Sequence, residues 1–425
     1  MGFRSGSARR TYFFGPTAWV LRMKVTSTPV PTAGPAGPAS DAPPLPPFDF
    51  HPLSRVIFEA GALSKLGALT RELGGRRVLL VTDPGLRRAG HPQRALASLL
   101  EAGLEVTVFD EVEENPTTRH VAAALEVARQ RQVETLVAVG GGSSMDVCKG
   151  VNFLLTNGGQ MSDYKGFGKA TRPMLPSVGV PTTTGTGSEA QSFALIADET
   201  THLKMACGDR KAAFRVSILD PDLTVSQPNF VAAVTAVDAM THALEAYVTS
   251  RRNPLAQLYA REAWRLLDRH FEVVLRRPAD LAARGAMQLG AHYAGVAIEN
   301  SMLGAAHACA NPLTAHYGLT HGIAVGVLLP AVIRYNAAAV GGLYAELAHD
   351  AGLVNGDGGA GAEAVARRIT DLMRGAGLPT TLSECGVSAG IFPVLAEEAA
   401  QQWTSRFNPR PVTEEDLLHL YEAAF

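Results

Sequence analysis

The rhythm of apolar residues changes about halfway along the chain. From Phe48 onward, short continuous apolar runs alternate with helically spaced segments. RVLLVTD (Arg77 to Asp83) is one such run and ends in turn residues, which predicts a buried parallel strand. EVTVFDEV (Glu105 to Val112) alternates into a second strand, and TLVAVG (Thr135 to Gly140) makes a third, buried one. Between them, residues 91–102 and 120–132 carry apolar positions at helical spacing. This β-α-β-α-β order predicts a parallel, doubly wound sheet, in which nucleotide sites lie at the carboxyl ends of the strands. Past about Gln227, strand-like runs nearly vanish. Helical patterns take over at 229–249, 254–276, 279–300, 303–316, 321–339, 341–353, 361–377 and 413–424. The expected organisation is an α/β dinucleotide-binding domain over 48–226 and an all-α domain over 227–425, with no internal repeat.

Residues 1–47 follow neither pattern. Pro, Ala, Ser, Thr and Gly dominate, and PVPTAGPAGPASDAPPLPP has no means of forming a packed core, so a disordered leader is expected. It has no Asp or Glu before Asp41, while Arg4, Arg9, Arg10, Arg22 and Lys24 are basic, the bias of an organelle transit peptide. An overextended start, with Met23 as the alternative first residue, accounts for the same composition. Across the whole chain the net charge is −2, which gives no electrostatic case for nucleic acid or a membrane surface. The four cysteines (Cys148, Cys207, Cys309, Cys385) form no CxxC pair, so a thiolate metal site or disulfide framework is not expected and a reducing, cytoplasmic setting fits. No unbroken apolar stretch of 18 or more residues reads as membrane-spanning.

Two glycine-rich segments bear on the nucleotide site. GGGSSMD (Gly140 to Asp146) follows the third strand and opens a helix. Its glycines allow close approach of a phosphate, and the free N–H groups of the helix start favour an anion. An ordinary tight turn is the plainer reading, but three consecutive glycines exceed what a turn needs. The segment does not match GxGxxG. PTTTGTGSE (Pro181 to Glu189) supplies hydroxyls and mobile backbone suited to phosphate and amide contacts, as a second wall of the same cleft. Asp83, at a strand end, suits the adenosine ribose hydroxyls and repels a 2′-phosphate; as part of Asp-Pro-Gly it equally suits a helix cap. Asn115, Thr117 and Thr118 are expected at the next strand end, beside the adenine.

The strongest chemical signal lies in the helical half. Asp238 and His242 share one face at i and i+4, and His307 and His321 lie in a stretch free of Lys and Arg from Gly285 to Ile333. Four such groups in apolar helical sequence are costly to bury without partners, and a divalent ion satisfies all four. Three imidazoles and a carboxylate suit Fe²⁺ or Zn²⁺. Singly, each reads as a cap or a satisfied core histidine, as do His270, His292, His316 and His349.

Together these segments resemble the iron-dependent (group III) alcohol dehydrogenases over about residues 50–425. GGGSSMDVCKG resembles that family's GGGSxxDxxK segment, PTTTGTGSEA its PTTxGTGSE signature, and AVDAMTHALEAYVT its DxxxHxxE helix. AGVAIENSMLGAAHACANPLTAHYGLTHGIAVGVLLP resembles its longest signature. The resemblance implies a dehydroquinate synthase-like fold with the active site between the two domains, and a homodimer or larger homo-oligomer. It implies Asp238, His242, His307 and His321 as metal ligands and NAD as cofactor. Gly141, Gly142, Ser143, Asp146, Thr182, Thr183 and Thr186 fall on its cofactor motifs, Asp83 on its NAD-selecting acid, and Lys204 on a cofactor-side lysine. Phe193, Ile298, Leu303 and Thr404 fall on substrate-pocket positions. Asn311 stands where many relatives carry a second histidine, and an amide does not titrate in the working range. Glu299 is an acid in an otherwise apolar pocket and is expected to tune substrate choice.

The implied activity is NAD-dependent interconversion of a small alcohol or diol and its aldehyde or ketone, with the metal as Lewis acid. Two alternatives share this fold: a lyase or cyclase of dehydroquinate synthase type, and a filament-forming assembly protein. The first needs clustered Lys and Arg for an anionic substrate, which the 285–333 stretch lacks. The intact quartet argues against the second as a protein without catalysis.

Overall fold

The computed structural model describes Gly2 and residues 46–201, 203–354 and 360–425. Nearly all of the expected leader lies outside the described residues. The first half is built on a six-stranded sheet of order β1-β9-β6-β4-β2-β3. Its strands are β1 (Arg55–Phe58), β2 (Arg77–Val81), β3 (Glu105–Phe109), β4 (Thr135–Gly140), β6 (Ser177–Pro181) and β9 (Val216–Leu219). Every pairing in it is parallel, as expected.

The continuous apolar runs follow from burial on both faces. Leu79 and Val81 of β2 and Leu136 and Ala138 of β4 join one core with α4 (Thr118–Gln130) and α5 (Gly142–Asn157). Val78 and Leu80, with Val137 and Val139, join a second core on the opposite face with α1 (Leu66–Glu72) and α3 (His91–Glu101). Register places Gly140 of β4 opposite Pro181 of β6. The two glycine-rich segments therefore leave the sheet side by side.

The structure departs from the sequence reading in several places. The strand expected over 105–112 stops at Phe109, and β1 precedes the strand that ends before Asp83. A second sheet, of order β5-β8-β7, was not foreseen; it comprises β5 (Gly166–Phe167), β7 (Phe193–Ala197) and β8 (Lys204–Gly208). β7 and β8 pair antiparallel, and FALIA and KMACG show neither strict alternation nor a run of β-branched residues to mark them as strands.

After β9 the described residues contain helices and no further strand. They are α6 (Asn229–Val248), α7 (Pro254–Arg276), α8 (Leu281–Glu299), α9 (Ala305–Tyr317), α10 (His321–Asp350), α11 (Gly361–Gly375), α12 (Phe392–Gln401) and α13 (Glu414–Ala423). The break expected near residue 340 is a kink at Val340 (φ −138°, ψ 28°) inside α10, and α12 was not foreseen. α10 is long and apolar enough to cross a membrane by composition, but 72% of its most apolar window is buried, as in a core helix. Its residues 323–333 pack with α6, α8 and α9 in one large apolar core.

Candidate active site

α6 is buried along nearly its whole length, so its polar residues require partners. Asp238 and His242 lie one turn apart on it, His307 in the first turn of α9, and His321 is the first residue of α10. The Nε2 atoms of His242, His307 and His321 stand 3.5, 3.6 and 3.8 Å from Asp238 Oδ1. The ligand atoms of Asp238, His307 and His321 all lie within 4.8 Å of one another. The His242 ring stacks on His307, with centroids 4.7 Å apart and planes 15° apart.

Asp238 Oδ1 and His307 Nε2 are buried and have no hydrogen-bond partner among the described residues. An ion with bonds of ~2.1 Å holds tetrahedral ligands about 3.4 Å apart, so the spacings of Asp238, His307 and His321 are compatible with one cation, with His242 Nε2 beside Asp238. The outer nitrogens of His242 and His321 are also unpaired; the Gly185 carbonyl lies beside the His242 ring, outside hydrogen-bond geometry.

Electrostatics divides the three histidines. Burial pushes His242 down to about 4 and His321 down to about 3, leaving each a neutral lone-pair donor. Burial opposes charge on His307 too, but Glu245 and Asp238 outweigh it and raise the ring to about 9. Burial alone would raise Asp238; the histidines, His242 first, hold it well below the usual carboxylate range.

Glu245 had no role in the sequence reading. It lies seven residues after Asp238, on the same face of α6, and that spacing was the available signal. Its Oε2 accepts from His307 Nδ1 at 2.6 Å and its Oε1 from the Ala306 N–H at 2.7 Å. A carboxylate behind a ligating imidazole fixes the tautomer and directs Nε2 forward.

The glycine-rich segments meet one level away. A Cβ on Gly141 would stand 3.3 Å from Thr183 Cγ2, and one on Gly142 2.7 Å from Thr186 Cγ2. The glycines thus allow two loops to pack closely at the start of α5, whose N-cap, Gly141, receives no side-chain cap. Ser143 is half-buried in the first turn. Thr182 is buried and donates its N–H to Gly140 O, whereas Thr183 and Thr186 are half-buried. Asp146 is buried and accepts from Ser188 Oγ at 2.8 Å.

Asp83 is a helix cap in the structure. Its Oδ1 accepts from the Leu86 N–H at 3.0 Å, capping α2 (Pro84–Ala89), while Oδ2 faces the Gly140 turn. Asn115, Thr117 and Thr118 do not end a strand; they lead into α4, and Thr117 is its N-cap. Asn115 is exposed in the left-handed region (φ 53°). Lys204, at the start of β8, is half-buried, and its ammonium has no hydrogen-bond or ion-pair partner among the described residues. Burial lowers its pKa, while Asp146 on the loop side and Asp238 in the histidine cluster act to raise it. It is therefore within electrostatic reach of both carboxylates.

Among the residues expected at the substrate pocket, Phe193 stacks on Trp403, with centroids 5.7 Å apart. Ile298 and Thr404 are buried, Leu303 is half-buried, and Thr404 Oγ1 has no partner among the described residues. Asn311, one turn after His307, donates from Nδ2 to Gln402 Oε1 at 3.0 Å. Gln402 was not identified from sequence. Glu299, expected to tune substrate choice, has both oxygens engaged: they accept from the Ser192 N–H and Oγ, at 2.9 and 2.6 Å.

Residues 53–221 match the family model described as iron-containing alcohol dehydrogenase, and 232–425 the C-terminal model of the Fe-containing alcohol dehydrogenase family. The chain is 36% identical over 383 residues to 1,3-propanediol dehydrogenase of Citrobacter freundii, spanning 89% of this chain and 99% of that protein. It is 33% identical over 367 residues to NAD-dependent methanol dehydrogenase of Bacillus methanolicus, spanning 86% of this chain and 96% of that protein. A crystal structure of 1,3-propanediol oxidoreductase superimposes with a TM-score of 0.87 at 36% identity, covering 89% of this chain and all of that one. With both halves matched and the histidine–aspartate cluster assembled between α6, α9 and α10, the chain belongs to the iron-containing alcohol dehydrogenase family.

Proposed function

We propose that the protein is a metal-dependent oxidoreductase that interconverts a small alcohol or diol and its aldehyde or ketone, with hydride transfer to or from NAD. The observation that carries this reading is the convergence of three imidazole Nε2 atoms on the unpaired Oδ1 of Asp238. Asp238, His242, His307 and His321 would hold Fe²⁺, or Zn²⁺, which the same donors suit. When bound, the ion supplies Lewis acidity toward the alcohol oxygen.

The protein groups divide the remaining work. Gly141, Gly142 and Ser143, at the open start of α5, receive the pyrophosphate. Thr182, Thr183, Thr186, Asp146 and Lys204 line the nicotinamide side, and Asp83 and Asn115 flank the adenosine. Glu245 keeps His307 aimed inward. Phe193, Ile298, Leu303 and Thr404 bound the substrate and exclude water, while Asn311, oriented by Gln402, offers a donor or acceptor but no titrating proton. The α/β half over 48–226 is the cofactor domain and the helical half over 227–425 the metal and substrate domain. We further propose a homodimer or larger homo-oligomer in the cytoplasm. The names of the relatives, which specify 1,3-propanediol and methanol, support short alcohols as the substrate class.

The test is NAD reduction followed in the near ultraviolet with Fe²⁺- or Zn²⁺-loaded protein over methanol, ethanol and the propanediols. Turnover that is abolished by a chelator and restored by the ion supports the reading. No turnover with any alcohol under either metal would overturn it.

A further inference from the structure

The segment 182–192 joins β6 to β7 without a strand partner of its own, yet it carries the threonine loop and ends beside Phe193. Three residues of α8 meet it, at 292, 295 and 299, and Gln288 on the same face meets Pro181 at the end of β6; spacings of four, three and four define one helix face. Gln288 Nε2 donates to Pro181 O at 3.1 Å, and His292 Nδ1 donates to Glu189 Oε1 at 3.0 Å. A Cβ on Gly295 would stand 2.5 Å from Gly187 O, so only glycine admits the loop backbone there. Glu299 takes both donors of Ser192.

The opposite side is held as tightly. Lys149 of α5, buried, places its ammonium 2.7 Å from Ser188 O, 2.8 Å from Ser188 Oγ and 2.7 Å from Phe193 O. Gly185 packs on Thr235, one turn before Asp238 on α6; a Cβ there would lie 2.5 Å from the Thr235 Cβ.

Buried charges are a poor source of net stability, since a well-packed apolar face of similar volume is often as stable. Here Glu299, His292 and Lys149 all bond to one short segment, Lys149 also reaching Phe193 just beyond it, and that segment faces the metal cluster on one side and the start of α5 on the other. We propose that Glu299 and His292 are positioning residues: through Ser192 and Glu189 they hold the 182–192 segment in register with the metal ligands of α6. The same bonds set where Phe193 stands. This inference rests on the dinucleotide reading of the cleft.

The test uses metal-loaded, full-length protein and reads NADH binding by fluorescence, KM for NAD against kcat, bound metal and Tm for Glu299→Ala, Glu299→Gln, Ser192→Ala and the double variant. Glu299→Ala is expected to weaken NADH binding and raise KM for NAD by roughly tenfold, the scale of a hydrogen bond to a charged group, with a full complement of metal. Glu299→Gln, which keeps an acceptor for Ser192, should recover much of the loss. Ser192→Ala should add nothing on the Glu299→Ala background, because both act through one contact. Unchanged NADH binding in folded, metal-replete Glu299→Ala, or additive effects of the two changes, would overturn the inference. If Glu299→Ala yields no folded protein, Ser192→Ala decides, and wild-type NADH affinity in that variant would refute the proposal. Absence of NADH binding by the wild type would overturn the dinucleotide reading, and this inference with it.

Discussion

Glu245→Gln isolates the group behind the metal ligands without changing a ligand. In the native protein two donors, His307 Nδ1–H and Ala306 N–H, meet the two carboxylate oxygens at 2.6 and 2.7 Å, and the side chain is buried. Glutamine offers one acceptor and one NH₂. If its oxygen serves His307, the NH₂ opposes the Ala306 N–H and leaves that buried donor unpaired. If its oxygen serves Ala306, the NH₂ faces His307 Nδ1 and forces the proton onto Nε2, the atom needed for the ion. The first arrangement costs about 1–3 kcal/mol for an unsatisfied buried donor, and the second leaves a proton on the nitrogen that must face the ion. The variant should therefore bind metal about 10–100-fold more weakly, as outer-shell changes generally do.

Metal content after equilibration in graded chelator buffers, with Tm alongside, measures this. A second readout follows from charge. With His307 raised to about 9, the metal-free wild type carries a proton there near neutral pH. Metal loading should release about one proton at pH ~7.5 and almost none above pH ~10. Because Glu245 is the main cause of that elevation, Glu245→Gln should release less. Wild-type metal affinity together with unchanged proton release in Glu245→Gln would refute the claim that Glu245 orients and polarises His307.

Three further outcomes are expected. Asp83→Asn keeps the α2 cap but removes the charge, so NADP use should rise relative to NAD with little change in Tm; unaltered preference would make Asp83 a cap alone. Asn311→His should introduce a new ionisation into the pH–rate profile without loss of metal, and an unchanged profile would place position 311 outside the proton route. Gly142→Ala puts a Cβ 2.7 Å from Thr186 Cγ2, so KM for NAD should rise while bound metal stays constant; equal KM values would show that the two loops part without consequence.

What was legible in the sequence follows from how local each signal is. β2 and β4 stand out because burial on both faces makes them continuous apolar runs, and the metal quartet because polar groups interrupt otherwise apolar helices. The β7–β8 hairpin was not legible, because FALIA and KMACG have neither strict alternation nor a run of β-branched residues to separate strand from buried helix. Partners fixed only by tertiary packing were out of reach. Asn311 meets Gln402 across 91 residues and His292 meets Glu189 across 103, whereas Glu245 had a local signal in its spacing from Asp238 although its partner His307 lies 62 residues on. His292 read as an ordinary core histidine satisfied by backbone; its partner is instead the glutamate of the PTTTGTGSE segment. Glu299 read as a pocket acid because its apolar neighbours were visible and Ser192, 107 residues away, was not.

The most direct test of the central claim is a titration of metal-free protein with Fe²⁺ or Zn²⁺ while NADH formation from 1,3-propanediol is followed. Activity should rise from near zero in proportion to bound ion and saturate at about one ion per chain, the capacity of a single site of four ligands. His307→Ala, which removes one of the converging Nε2 atoms, should neither retain the ion nor turn over. Metal-free protein that oxidises the alcohol at the loaded rate would contradict the account.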